Sequence, residues 1–175
     1  MSVFTSALSG TCAGVDTWHF VSYDQLNQDL LPENKKIGLV FIETSWKAKQ
    51  LPYHKQKLAL LLSNQRHFAI EMQDAGYALK YVFSEKEYGE VLAELCDELG
   101  EITVTKPAEL SLRRSLQPLV EAGRLKLLEH KGWLTTNEDF IKGAGQNAPW
   151  RMDKFYRYIR KNYSIMLEDD GKPVG

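Results

Sequence analysis

The chain has 175 residues, of which 43% are apolar and 26% charged, enough to bury one domain core and incompatible with wholesale disorder. Lys and Arg number 22 against 23 Asp and Glu, a net charge of −1, so no global electrostatic argument for nucleic acid arises. No apolar run approaches the roughly 20 residues of a membrane span, and the opening MSVFTSALSGTCAG lacks the basic start and apolar stretch of a secretory signal.

In chain order, the first predicted strand is the aromatic and β-branched run Trp18 to Tyr23. Ile37 to Ile42 (IGLVFI) is continuously apolar, as in a strand covered on both faces. From Tyr53 to Ala75, Leu58, Leu61, Leu62, Phe68, Ala69 and Met72 recur near three- and four-residue spacings and predict a long helix that Gly76 stops. Tyr77 to Phe83 is the third strand. A helix over Glu85 to Leu99 follows, with Ser84 and Glu87 at capping-box spacing. Glu101 to Thr105 is the fourth strand, and the apolar positions from Leu110 to Val120 form a stretch that Pro118 is expected to shorten or break. Leu125 to Leu128 is the fifth strand.

Strand and helix in alternation predict an α/β fold: a doubly wound, five-stranded parallel sheet with helices on both faces, flavodoxin- or Rossmann-like, over residues 18–130. Residues 1–17 read as a flexible leader. After Leu128 the alternation ends, and residues 131–175 read as a polar linker around Lys142 to Ala148 followed by a connector helix. Met152, Phe155, Ile159 and Tyr163 lie on one stripe of that helix, with Arg151, Lys154, Arg157, Arg160 and Lys161 around it. Burying its apolar residues would yield roughly 1.5 to 3 kcal/mol each.

The chemistry-bearing motifs are mostly exclusions. No Gly-x-Gly-x-x-Gly follows a strand and no phosphate-cradling Gly-x4-Gly-Lys-Ser/Thr occurs; the glycine-rich Ser9 to Gly14 precedes the first strand. Cys12 and Cys96 are too few and too far apart for a disulfide framework or a Cys-x-x-Cys metal site, and Cys96 reads as a core thiol, which suits a reducing, cytoplasmic setting. His54 and His67 are about 20 Å apart on one helix and cannot share an ion. The basic clusters, Lys55/Lys57/Arg66/His67 and Arg151 to Lys161, read first as solvated helix faces, with nucleic-acid contact as the sharper alternative. The more specific pair is Asp24 and Glu43. Ligands on open α/β sheets gather at the carboxyl ends of the strands, where two acids can accept hydrogen bonds from a heterocycle. Equally, Asp24 can cap a helix beginning at Gln25.

Asp24-Gln25-Leu26 after the first strand, Glu43 after the second, YHKQK, then LLLSNQRHFAIEMQDAGYALKYV and the terminal RMDKFYRYIRKNYSIMLEDDGKPVG together resemble the deoxyribodipyrimidine photolyase-related proteins, the bacterial iron–sulfur branch of the photolyase/cryptochrome superfamily. The resemblance runs from about His19 to Gly175. It implies the N-terminal antenna domain of such a protein, which holds a lumazine-type chromophore. FAD and a 4Fe-4S cluster are expected only in a further helical C-terminal domain that this sequence does not include. The activity of the whole protein would be light-driven repair of pyrimidine photoproducts, a carbon–carbon lyase reaction on DNA, or blue-light signalling, with this part non-catalytic. By the same resemblance Asp24, Gln25, Leu26 and Glu43 line the chromophore pocket, with Ser45 and His54 close by. Tyr23 stands where the family has glycine and Tyr53 where it has a second histidine, so the pocket is expected to be reshaped. Two other readings stand beside this one: a free-standing flavodoxin-like enzyme using Asp24 or Glu43 as acid or base, and an interaction module whose Phe155–Tyr163 helix docks a partner or a second copy.

Overall fold

Five short apolar runs form one all-parallel sheet: β1 (Thr17–Phe20), β2 (Ile37–Thr44), β3 (Ala78–Ser84), β4 (Ile102–Thr105) and β5 (Leu125–Leu128), in the order β3-β2-β1-β4-β5. The computed structural model describes residues 4, 6, 8, 14–32, 36–168 and 171–172. Cys12, the glycine-rich stretch at 9–13 and the terminal 173–175 lie outside them. From β2 onward the helices among the described residues are α1 (Trp46–Gln50), α2 (Lys55–Asp74), α3 (Tyr88–Leu99), α4 (Leu110–Glu121), α5 (Asn137–Ala144) and α6 (Met152–Asn162).

The sheet is covered on both faces, as the sequence predicts. Trp18, Phe20, Val40, Ile42, Ile102 and Val104 pack on one face against Val91, Leu92 and Leu95 of α3 and Leu112 and Leu116 of α4. On the other face, Ile37, Leu39, Phe41 and Leu79 meet Phe68, Ala69 and Met72 of α2. Successive strand residues point to opposite faces, so the continuous run in β2 is what a strand between two helical layers requires. Trp18 pairs in register with Gly38, and a Cβ at Gly38 would sit 2.5 Å from the indole ring, so only glycine lets that ring lie flat across the strand. Cys96 is buried in the first of these clusters, and burial raises its thiol pKa, as an unreactive core thiol requires. His19 is 1% exposed on β1, where Nδ1 lies 2.9 Å from Thr103 Oγ1, and burial lowers its pKa to about 4.

Local differences from the sequence reading have local causes. β1 ends at Phe20 because the chain turns away at Ser22, whose carbonyl accepts from Gln25 N–H at 3.0 Å. No helix begins at Gln25. A short 3-10 turn at Gln28–Leu30 follows instead, capped by Asn27. The capping box at Ser84 does not form: β3 runs through Ser84, whose hydroxyl accepts from Lys86 N–H at 3.0 Å, and α3 starts four residues later, at Tyr88. Pro118 does not break α4, which runs on to Glu121. The bond that Pro118 cannot donate would have gone to Arg114, an exposed residue, where water can satisfy the carbonyl. α5 runs into the start of the predicted polar linker, Lys142 to Ala148, and its Thr136 and Asp139 close a capping box, a signature disguised by Asp in place of Glu or Gln.

By its contacts the chain divides into two compact units, Met1–His130 and Lys131–Gly175. In the second, Phe140 of α5 meets Trp150 and Phe155 edge-on at 5.8 and 5.3 Å between ring centroids. Of the predicted stripe on α6, Ile159 is buried, whereas Met152 is 66% and Tyr163 41% exposed. Arg151 and Arg157 are both engaged by Asp153. Among the described residues no helix is long and apolar enough to cross a membrane.

Candidate functional site

A cavity of about 570 Å³ opens at the carboxyl ends of β2 and β3, under the N-terminal half of α2. Its walls are mostly apolar: Leu58, Leu61 and Leu62 from α2 face Tyr23, Phe83 and Tyr88 from the strand ends and α3, with Tyr53 beside them. Volume, apolar walls and a few inward polar groups suit a small organic ligand.

Of the six residues singled out from sequence, Glu43 and Ser45 line this cavity. Asp24, Gln25, Leu26 and His54 are not among its lining residues. Asp24 lies in the turn after β1, exposed, and accepts a hydrogen bond from Ser22 Oγ. Gln25 is buried, its Nε2 donating to the carbonyls of Thr105 and Lys106 at 3.2 and 3.1 Å, so it ties the β1 and β4 ends together. Leu26 packs against the α2-side core. His54 is exposed and caps α2, its Nδ1 accepting from Gln56 N–H at 3.2 Å. The two acids therefore do not share a cleft.

Glu43 itself is spoken for. Arg66, the residue after the cavity-lining Gln65 on α2, donates from Nε to Oε2 at 2.8 Å and from Nη2 to Oε1, and Tyr81 donates to Oε2 at 2.9 Å. The bidentate pairing raises the Arg66 pKa, and burial together with Glu43 pushes the Tyr81 phenol well above its ordinary value. Phe4 packs against this group, its ring edge-on to that of Tyr81 at 4.8 Å and 5.3 Å from the Arg66 guanidinium carbon. Glu43→Ala would strand a part-buried guanidinium and a phenol. It is expected to cost about 2 kcal/mol, with Glu43→Gln losing roughly half as much because its amide oxygen still accepts. Urea denaturation of the two variants measures this, and equal losses would contradict it.

The second polar group is Tyr23, Lys47 and Glu109. Lys47 Nζ donates to Tyr23 Oη and Glu109 and lies 4.5 Å above the Tyr23 ring, while Tyr23 and Ser111 also donate to Glu109. Burial works against the Glu109 charge, yet the hydrogen bonds from Lys47, Ser111 and Tyr23 hold its pKa down at about 2. Tyr23, raised by burial and by Glu109, is thereby fixed as a wall of the cavity rather than a plug in it. Behind it a smaller cavity of about 270 Å³, lined by Trp46, Glu109 and Ser115 among others, shares Lys47, Tyr53 and Tyr88 with the first.

The charge balance has a chemical meaning. Each ionised side chain on the main cavity wall has its own counter-ion: Glu43 with Arg66, Lys47 with Glu109, Glu85 with Lys49. No uncompensated charge is left there for a phosphate or carboxylate, whereas four aromatic rings are offered to a flat neutral molecule. The sequence reading missed Lys47, Phe83, Tyr88 and Gln65. Of these Gln65 left a trace, since it interrupts the buried α2 stripe of Phe68, Ala69 and Met72 at the same helical spacing.

A family model described as deoxyribodipyrimidine photo-lyase-related protein matches residues 19–175. The chain is similar to a "(6-4) photolyase" of Agrobacterium fabrum (strain C58 / ATCC 33970), 24% identical over 152 residues, covering 82% of this chain and 30% of that protein. It thus spans less than a third of the length of the curated relative it matches.

Proposed function

The chain belongs to the deoxyribodipyrimidine photo-lyase-related protein family, and from that premise we propose that its α/β unit is an antenna domain, with the 570 Å³ cavity at the ends of β2 and β3 holding a light-absorbing heterocycle of the lumazine type. The observation that carries this reading is the cavity's combination of aromatic walls with fully paired charges. A neutral planar ring replaces water against Tyr53, Phe83 and Tyr88 without desolvating a bare ion. When bound, the ring supplies near-ultraviolet or blue absorption that the protein lacks. The chain's residues exclude water from it, and the tethered Tyr23 limits its rotation. The acid–base alternative has less support, because Glu43 is saturated by Arg66 and Tyr81 and Asp24 lies outside the cavity.

In a protein of the relative's length, the excited antenna would pass its energy to FAD in a helical domain that also carries an iron–sulfur cluster. The reaction served would be repair of pyrimidine photoproducts, the (6-4) class being the one named for the relative, or blue-light signalling. The test is titration of the purified chain with lumazine and with lumiflavin, followed by ligand fluorescence anisotropy. Saturable one-to-one binding of either ring at micromolar concentration is the expected result; a linear, unsaturable response with both would refute the reading.

A further inference from the structure

Gln65 is 2% exposed yet lines the cavity, and a buried amide is costly unless both its ends are used. One end is: Nε2 donates to the Ile42 carbonyl at 3.0 Å, which fixes the orientation of the amide. The other end, Oε1, has no hydrogen-bond partner among the described residues. Ser45, which directly follows β2 and also lines the cavity, carries a buried hydroxyl without a partner among the described residues. Glu43, two residues before Ser45, is occupied by Arg66 and Tyr81. At the β2 end of the cavity, then, stand one fixed acceptor and one free hydroxyl, with no free charge.

The geometry points to Gln65 as the residue that selects the ligand. Its Oε1 accepts a hydrogen bond from a ring N–H, and the Ser45 hydroxyl donates to a carbonyl of the same ring. The ligand class is therefore a flat neutral heterocycle with a lactam or imide edge, and rings that lack a ring N–H are rejected. This rests on the reading of the cavity as a heterocycle site and adds to it which edge of the ring is read. A site built to pair a polar group discriminates strongly against an analogue lacking that group, because its own buried partner is then left unpaired.

The test compares lumiflavin, which carries one ring N–H, with its 3-methyl derivative, in which that hydrogen is replaced. Wild-type protein is expected to bind the methylated ring at least tenfold more weakly. Gln65→Met, close in volume and without an acceptor, is expected to bind both rings with the same reduced affinity. Equal binding of the two rings by the wild type, or a tenfold preference that survives in Gln65→Met, overturns the role of Gln65 while leaving the cavity's function standing. The wild-type comparison decides the matter even if the variant does not fold. Failure of both rings to bind the wild type overturns the heterocycle site and this inference together.

Discussion

Ala48→Trp is expected to abolish binding of lumazine or lumiflavin, weakening it at least 100-fold, with little change in folding stability. Ala48 lies on α1 and lines the cavity half-buried, so an indole there can enter the cavity that the ligand would occupy instead of displacing the core. A bound ring loses its place and its contacts with Tyr53 and Phe83 together. A 100-fold loss corresponds to about 2.7 kcal/mol, the scale of burying one large apolar side chain. The ring-stacking partners stay in the protein, so the urea midpoint should hold or rise. Retention of wild-type affinity in a folded Ala48→Trp protein would place the ligand elsewhere.

The second large effect is on stability and is read by pH. His19 has its pKa lowered to about 4 by burial, against an ordinary value of 6.5. The folded protein therefore keeps this ring neutral while the unfolded chain protonates it. Stability from the neutral buried ring is fully present above pH 6.5 and is lost as pH falls from 6.5 towards 4, by about 3 kcal/mol at the lower end. Denaturation curves between pH 7.5 and 4 are expected to show that decline, and His19→Gln to flatten it. The window is separable from that of Glu109, whose pKa of about 2 confines its effect to lower pH, as its stabilising charge disappears only when the pH falls from about 4.5 towards 2. A decline unchanged in His19→Gln would assign the acid sensitivity to other groups.

Residue pattern made most of the fold legible and little of the site. The doubly covered sheet follows from IGLVFI in β2, since no half-buried strand tolerates so continuous an apolar run. Gly76 and Gly100 close α2 and α3 with φ of +92° and +82°, where the sequence places those helix ends. The site depends instead on which side of a strand tip a residue faces and on partners far away in sequence. Glu43 ends on the α2 face of β2, where Arg66 reaches it across 23 positions. Asp24 has already left the sheet in a turn, so proximity to the strand end does not bring it to the cavity. Lys47 and Glu109 meet across 62 positions, a pairing no local spacing encodes. Gln65 is the exception: a polar residue on a buried helical stripe is visible in the sequence, and its reason becomes plain only beside the cavity.

The position of Trp46 has a practical consequence. This indole lines the smaller chamber, next to the one assigned to the ligand, while Trp18 is sealed under Gly38 and Trp133 and Trp150 belong to the other unit. Excitation of the protein at tryptophan wavelengths should therefore sensitise emission from a newly arrived ring, with Trp46 among the donors. A Trp46→Phe protein isolates its share, giving an optical reporter of occupancy that needs no attached dye.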